Sequence, residues 1–210
     1  MKYPSLFILS LALLACQEPK KAKQKQEIDP KILITCDAIG EIGLKETHQT
    51  LVDRFGKNAV TEHENTVYGH YSTVFEGDDK QVNVYWKETS APFKTVKFVE
   101  VNTAGSVYMT KDSVRVGLTM RQLVKLNGFM PVTFKNIWQP SEAGIIKSFN
   151  GGTVETNSPC LTGFMEQVKI NVVHKDEIKA FRNKEWVESS DPLFNRIDME
   201  LSSIRIFPKQ

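Results

Sequence analysis

The sequence predicts an α+β fold, an antiparallel β-sheet with two short helices packed on one face. Three observations carry this. Several segments alternate apolar and polar residues with period two, two segments carry helix-capping signals followed by a terminal glycine, and Gly and Asn cluster where turns belong.

In chain order, the first helix is Thr47 to Gly56. Thr47 can cap it, Leu51 and Phe55 stack one turn apart, and Gly56 ends it. Residues 81–86, Gln-Val-Asn-Val-Tyr-Trp, then alternate as a half-buried strand does, and Thr95 to Val101 is a further strand. The second helix runs from Thr119 to Gly128. Its Thr-x-x-Gln opening is a capping box, Met120, Leu123 and Val124 share a face, and Asn127-Gly128 terminates it. Val132 to Phe134 is short and extended, and Asn150-Gly151-Gly152-Thr153 reads as a tight turn between two strands. Residues 167–172 and 203–207 alternate again, so the sheet is expected to be antiparallel with one covered face. Gly43 and Gly117 precede the two helices, and extended segments follow both. That order also fits two diverged repeats, about 37–103 and 104–207.

The N-terminus has the zones of an export signal: Lys2 supplies positive charge, Leu6 to Leu14 is almost all apolar, and small Ala15 precedes a cysteine. The apolar run stops well short of the roughly 20 residues a transmembrane helix needs. Leu13-Leu14-Ala15-Cys16 matches the bacterial lipobox, whose cysteine sulfur receives a diacylglycerol before cleavage. Residues 1–15 are therefore expected to be removed as a lipoprotein signal peptide, leaving Cys16 as the lipidation site. Three acyl chains would hold the protein on a membrane permanently, whereas one binds only marginally. Residues 16–31 then form a polar, aromatic-free tether, and residues 32–210 a single globular domain.

Of the 27 Lys and Arg and 25 Asp and Glu, six and three fall in residues 1–31, which leaves 21 and 22 for the body. A near-neutral body offers no basic field for nucleic acid. Besides Cys16 there are two cysteines, Cys36 and Cys160. In an exported protein they are a disulfide candidate that would close a long loop, with two separate buried thiols as the alternative.

From Val116 to Gly128 the chain reads Val-Gly-Leu-Thr-Met-Arg-Gln-Leu-Val-Lys-Leu-Asn-Gly. This resembles the hydrophobic-Gly-Met-Thr-x-x-x-Leu-x-x-x-Asn/Leu-Gly unit of small bacterial envelope lipoproteins. It is similar to the repeat of outer-membrane assembly lipoproteins of the SmpA/OmlA type and to the related fold of β-lactamase inhibitor proteins. The aromatic segment Phe134 to Trp138 and the Gly151-Gly152 turn extend the resemblance, which covers residues 37–174. It implies a helical pair packed on an antiparallel sheet and a binding role rather than catalysis. Leu118 stands where methionine is usual, and no partner-contacting residue carries over by position.

No nucleophile elbow, zinc-protease motif, phosphate loop or dinucleotide fingerprint occurs in the sequence. Glu62-His63-Glu64 with His70 could converge on an ion, but His63 and Glu64 read more simply as a solvated loop and His70 as a strand residue. His48 belongs to an exposed first helical turn. Cys36 with His174 would make a nucleophile and base, yet nothing local activates either, and the disulfide competes for Cys36. Tyr68, Tyr71, Phe75, Tyr85, Trp86, Phe93 and Phe98 crowd one region, and Phe129, Phe134 and Trp138 another. Most should fill a sheet face, with Trp138, in a loop, and Trp186 as interface candidates.

The expectation is a non-enzymatic, lipid-anchored protein of the cell envelope, a protein-binding or envelope-assembly module. It would have no catalytic residues, metal or cofactor. Its partners would be the membrane, through Cys16, and an envelope protein. Gln17 lacks the aspartate that retains some lipoproteins at the inner membrane, which points to the outer membrane of a Gram-negative bacterium. The alternative is a small-ligand-binding protein or hydrolytic enzyme with its site among the aromatic residues, and a bare spacer or surface coat is a third reading. A deep pocket with convergent polar groups would favour the alternative, and a broad, shallow apolar face the leading one.

Overall fold

The computed structural model describes residues 28–171 and 174–209. The segment expected to be a signal peptide, the expected lipidation site Cys16 and most of the expected tether lie outside the described residues. The elements are β1 (Leu33–Ile34), β2 (Ala38–Ile39), β3 (Ile42–Gly43), α1 (His48–Phe55), β4 (Val60–Asn65), β5 (Gly69–Val74), β6 (Val82–Trp86), β7 (Val96–Val101) and β8 (Met109–Thr110). They continue with α2 (Met120–Leu126), β9 (Thr133–Lys135), β10 (Ile146–Ser148), α3 (Thr153–Asn157), β11 (Leu161–Ile170), α4 (Lys175–Arg182), β12 (Trp186–Glu188) and β13 (Ile197–Ile206).

The fold is α+β. A six-stranded sheet in the order β11-β13-β7-β6-β5-β4 is antiparallel throughout. A three-stranded antiparallel sheet, β10-β9-β12, and a small sheet, β3-β2-β1-β8, complete the strands. The last of these has one parallel pair, β1 with β8. Strands β4 to β7 form an up-and-down meander, because each link is short enough to reverse the chain directly.

Period-two alternation builds the core face of the large sheet. Val82, Val84 and Trp86 of β6 are buried beside Val99 and Val101 of β7 and Ile204 and Ile206 of β13. Each such side chain contributes about 1.5–3 kcal/mol on burial. Trp86 also finds a partner for its indole N–H, which donates to Ser72 Oγ at 2.9 Å. Helix α1 lies against β4 and β5, burying Leu51, while α2 lies against β13, burying Met120 and Leu123.

Both helices begin at the expected caps. Thr47 and Thr119 each accept a hydrogen bond from the third helical N–H, and Gln122 reaches back to the Thr119 N–H at 2.9 Å. Gly56, with φ of 88°, ends α1. The segments C-terminal to the two helices differ: the meander comes after α1, and after α2 a mixture of helices and strands is divided between two sheets.

Three sequence expectations change. Residues 60–65, whose His63 and Glu64 read as a solvated loop, form the edge strand β4, because pairing with β5 satisfies their backbone along the whole length. The turn at Asn150 to Thr153 leads into α3 rather than a second strand. A Cβ on Gly152 would lie 2.2 Å from Asn127 Oδ1, so the glycine is required by close approach. Asn127 is fully buried there and donates to the carbonyls of Met130 (3.0 Å) and Phe149 (2.7 Å) while accepting from the Val154 N–H (3.1 Å). Finally, α3 and α4 add two helices that the periodicity did not mark. Helix α3 is only five residues long, and α4 buries only Phe181.

Cys36, just after β1, and Cys160, just before β11, form a disulfide with 5.4 Å between their Cα atoms. It joins the small N-terminal sheet to an edge strand of the large one across 124 positions of sequence. On the chain-entropy account a loop of that length contributes about 5 kcal/mol.

Candidate functional site

The second face of the six-stranded sheet carries two rows of side chains. Cross-strand register places His63, Tyr71, Tyr85 and Phe98 side by side across β4 to β7. Their rings stack in sequence, with centroids 5.0 Å apart for His63 and Tyr71, 4.7 Å for Tyr71 and Tyr85, and 4.3 Å for Tyr85 and Phe98. Phe207 continues the row beside Phe98 at 5.4 Å. The neighbouring row is polar. Thr73, Asn83, Glu100, Arg205 and Thr162 follow one another across β5, β6, β7, β13 and β11.

Hydrogen bonds knit the polar row. Thr73 Oγ1 donates to Asn83 Oδ1 at 2.9 Å, and Asn83 Nδ2 donates to Asn102 Oδ1 at 3.2 Å. Arg205 Nε donates to Glu100 Oε1 at 2.7 Å, with side-chain exposures of only 6% and 4%. A buried ion pair is tolerated when each charge is matched and its other surfaces are packed. Here the packing is aromatic. The Arg205 guanidinium carbon lies 4.4 Å from the ring centroids of Tyr68 and Phe98 and 4.5 Å from that of Phe164. Such contacts favour the cation electrostatically, more strongly when water is excluded.

Tyr68 reaches this position through local chain geometry. Asn65 Oδ1 accepts from the Val67 and Tyr68 N–H groups at 2.8 and 3.0 Å, an Asx turn that folds the β4–β5 connection over the sheet. A register shift in β7 frees Lys97, whose Nζ donates to the Tyr68 carbonyl at 3.2 Å. Tyr68 then stands edge-on to both Tyr85 and Phe98. Burial raises the Tyr85 phenol well above its ordinary range, and the Glu100 charge adds to that.

Beside this cluster opens a shallow groove of about 550 Å³. Tyr68, Tyr85, Phe164, Glu100 and Arg205 line it together with Asn65, Asn102, Glu166, Ser202 and Ser203. Ser203 is 5% exposed, and its hydroxyl has no hydrogen-bond partner among the described residues. A buried polar atom without a partner calls for an explanation, and a group entering the groove beside it would supply one.

Of the residues singled out from sequence, Tyr68 and Tyr85 line the groove, and the others lie elsewhere or play other parts. Trp138 sits in a turn, half-buried, edge-on to Phe181 at 5.4 Å with the Arg182 guanidinium 5.2 Å from its ring. Trp186, also half-buried, lies under Lys147 at 4.7 Å. Neither lines the groove. The histidines pair off separately, His48 with Glu62 at 3.1 Å, His63 close to Glu76 at 3.2 Å but without hydrogen-bond alignment, and His70 with Glu64 at 4.0 Å. Among the described residues no three such groups converge on a metal position. Cys36 is held in the disulfide, and His174 precedes α4. Of the aromatic residues, Tyr68, Tyr71, Tyr85 and Phe98 belong to the groove face, whereas Trp86 and Phe93 stack on each other within the core and Phe75 packs on Phe55. Phe134 is fully buried, while Phe129 projects with 75% of its surface exposed.

Glu100, Arg205, Ser203 and Asn102 were not singled out from the sequence. A lone charge between apolar residues, as in Val99-Glu100-Val101 or Ile204-Arg205-Ile206, reads as a solvated strand position. The available signal was the aromatic residue two positions away on the same face, Phe98 and Phe207 respectively.

No protein-family model matches the chain, and comparison with curated proteins and with solved structures likewise gives no match.

Proposed function

We propose that this chain is a non-catalytic binding module of the cell envelope, held to the membrane through acylated Cys16, with the groove beside Arg205 as its recognition surface. The observation that carries this reading is the Arg205 cluster. A guanidinium packed among three rings and bonded to one carboxylate, beside an unpartnered serine hydroxyl, is a preorganised recognition element, since its geometry is set before a ligand arrives. The titratable groups in it are committed to each other: Glu100 accepts from Arg205, and the Tyr85 phenol holds its proton far above neutrality. That suits binding better than proton transfer. The lipobox Leu13-Leu14-Ala15-Cys16 and the polar residues after it supply the anchor and spacer.

A photoreactive amino acid at Ala143, on the groove wall, tests the reading in intact envelopes, with the same group at exposed Lys57 as control. A specific adduct from position 143 and none from position 57 is expected. Equal labelling, or none, overturns the reading. Palmitate labelling of the full chain that persists in Cys16→Ser overturns the anchor.

A second reading, protein docking through the end of α2, has its own observation. Phe129 is 75% exposed at a φ of 64°, followed by Met130 at 42%. An exposed aromatic held in the left-handed region is costly, and such strain clusters at functional positions. Phe129→Asn relieves it, so loss of an envelope crosslink in a variant of raised stability would favour that surface.

A further inference from the structure

With the groove taken as the recognition surface, the reading on which this inference rests, hydrogen-bond accounting narrows what it can hold. Asn65 Oδ1 is taken by two backbone N–H groups and Asn102 Oδ1 by Asn83, so each amide presents its NH2 as the remaining group. Arg205 uses Nε on Glu100, and its two outer nitrogens have no bond to any described residue. Ser203 Oγ is open and nine-tenths buried. An acceptor lies close by, since the exposed Glu166 stands on the rim. Donors and acceptors are thus interleaved on one wall.

Charge excludes two ligand classes. Two carboxylates and one guanidinium line the groove, a net of one negative charge, which disfavours an anion in a site partly shielded from water. A cation would compete with Arg205, which already occupies the faces of Tyr68, Phe98 and Phe164. What remains is a neutral molecule whose groups both donate and accept. Hydroxyls do so. The volume of about 550 Å³ falls within the range of small-ligand sites, and the open form admits a segment of a longer chain. We infer that the groove binds a neutral, hydroxyl-rich saccharide, with Ser203, Asn102 and the outer edge of Arg205 contacting its oxygens.

The test uses the full chain in a detergent without a sugar headgroup. Amide spectra are titrated with cellotetraose and N-acetylchitotetraose as neutral probes and with tetragalacturonic acid as the acidic one. Saturable shifts centred on Asn102, Phe164 and Ser203 are expected with at least one neutral probe, and weaker or no binding of the acid. Ser203→Val should weaken binding about tenfold, the worth of one hydrogen bond at about 1.4 kcal/mol. Asn102→Ala, at an exposed position that leaves the sheet intact, should weaken it severalfold. Tighter binding of the acid, no shift with any probe, or shifts that survive both substitutions overturns the saccharide assignment. If the adduct from position 143 is still obtained, only the ligand class has failed; if it is also lost, the groove itself is not the recognition surface.

Discussion

Glu100 and Arg205 stand directly opposite each other on β7 and β13, 105 positions apart in sequence, with Arg205 Nε 2.7 Å from Glu100 Oε1. The pair fastens the last strand to the meander from the side away from the core. Three rings exclude water around it, so its two charges depend on each other far more than an exposed pair would.

Glu100→Gln keeps the shape but leaves a buried guanidinium uncompensated. Stability to denaturant should fall by about 3–5 kcal/mol. Adding Arg205→Met should recover much of that, because an apolar side chain of similar length satisfies the same rings. A double variant no more stable than Glu100→Gln would refute the coupling.

Replacing Cys36 and Cys160 by serine should cost about 5 kcal/mol through the loop of 124 positions that they close. For a domain of this size that lowers Tm by roughly 10–20 °C. Reductant should lower the Tm of the parent by a similar amount and leave the variant unchanged, as read by scanning calorimetry.

Gly152→Ala should destabilise by several times the usual cost of a loop substitution, because the added methyl meets Asn127 Oδ1 and the Asn127 carbonyl. Asn127→Ala leaves the Phe149 and Met130 carbonyls and the Val154 N–H without their partner and should cost about 2–4 kcal/mol. Equilibrium unfolding of the two single variants and the double variant measures the coupling, which should make the double markedly less than additive.

Alkaline pH should unfold the protein through its buried phenols. Burial pushes the Tyr108 phenol up to about 12 and Tyr85 higher still. A phenol whose folded value exceeds its unfolded one stabilises fully below the unfolded value near 10 and loses that contribution as pH rises towards the folded value. Phenolate absorbance should therefore report these two rings ionising only with global unfolding, and early ionisation of all tyrosines would contradict the assignment.

Acid should weaken the junction at α3. Hydrogen bonds from the Gly151 N–H first, then the Ser148 hydroxyl and the Phe149 N–H, hold Glu155 below its ordinary value. Its contribution is complete above the ordinary carboxyl range and is lost as pH falls through the lower folded value. The stability difference between the protein and Glu155→Gln should be largest near about pH 6 and shrink on acidification. A difference that stays constant down to about pH 2 would count against it.

Both capped helices and the alternating strands were legible in the sequence, because capping and pleating depend on neighbours within a few residues. Thr119 and Gln122 announce α2 without help from the rest of the chain. Helices α3 and α4 were not legible, since one is too short to show a period and the other too exposed. The groove was half legible: Tyr68, Tyr85 and Phe98 stood out as aromatic residues, but Glu100 and Arg205 did not.

By itself the sequence determined the α+β class, the two helix starts and the near-neutral charge of the body. Each is a property of composition or of short-range spacing. Only the tertiary structure decided that the second face of the large sheet is buried around an ion pair, that Cys36 meets Cys160, and that Gly152 must lie against Asn127. These depend on strand order and register, which bring together residues 22 to 124 positions apart, and no local pattern encodes which strand will lie beside which.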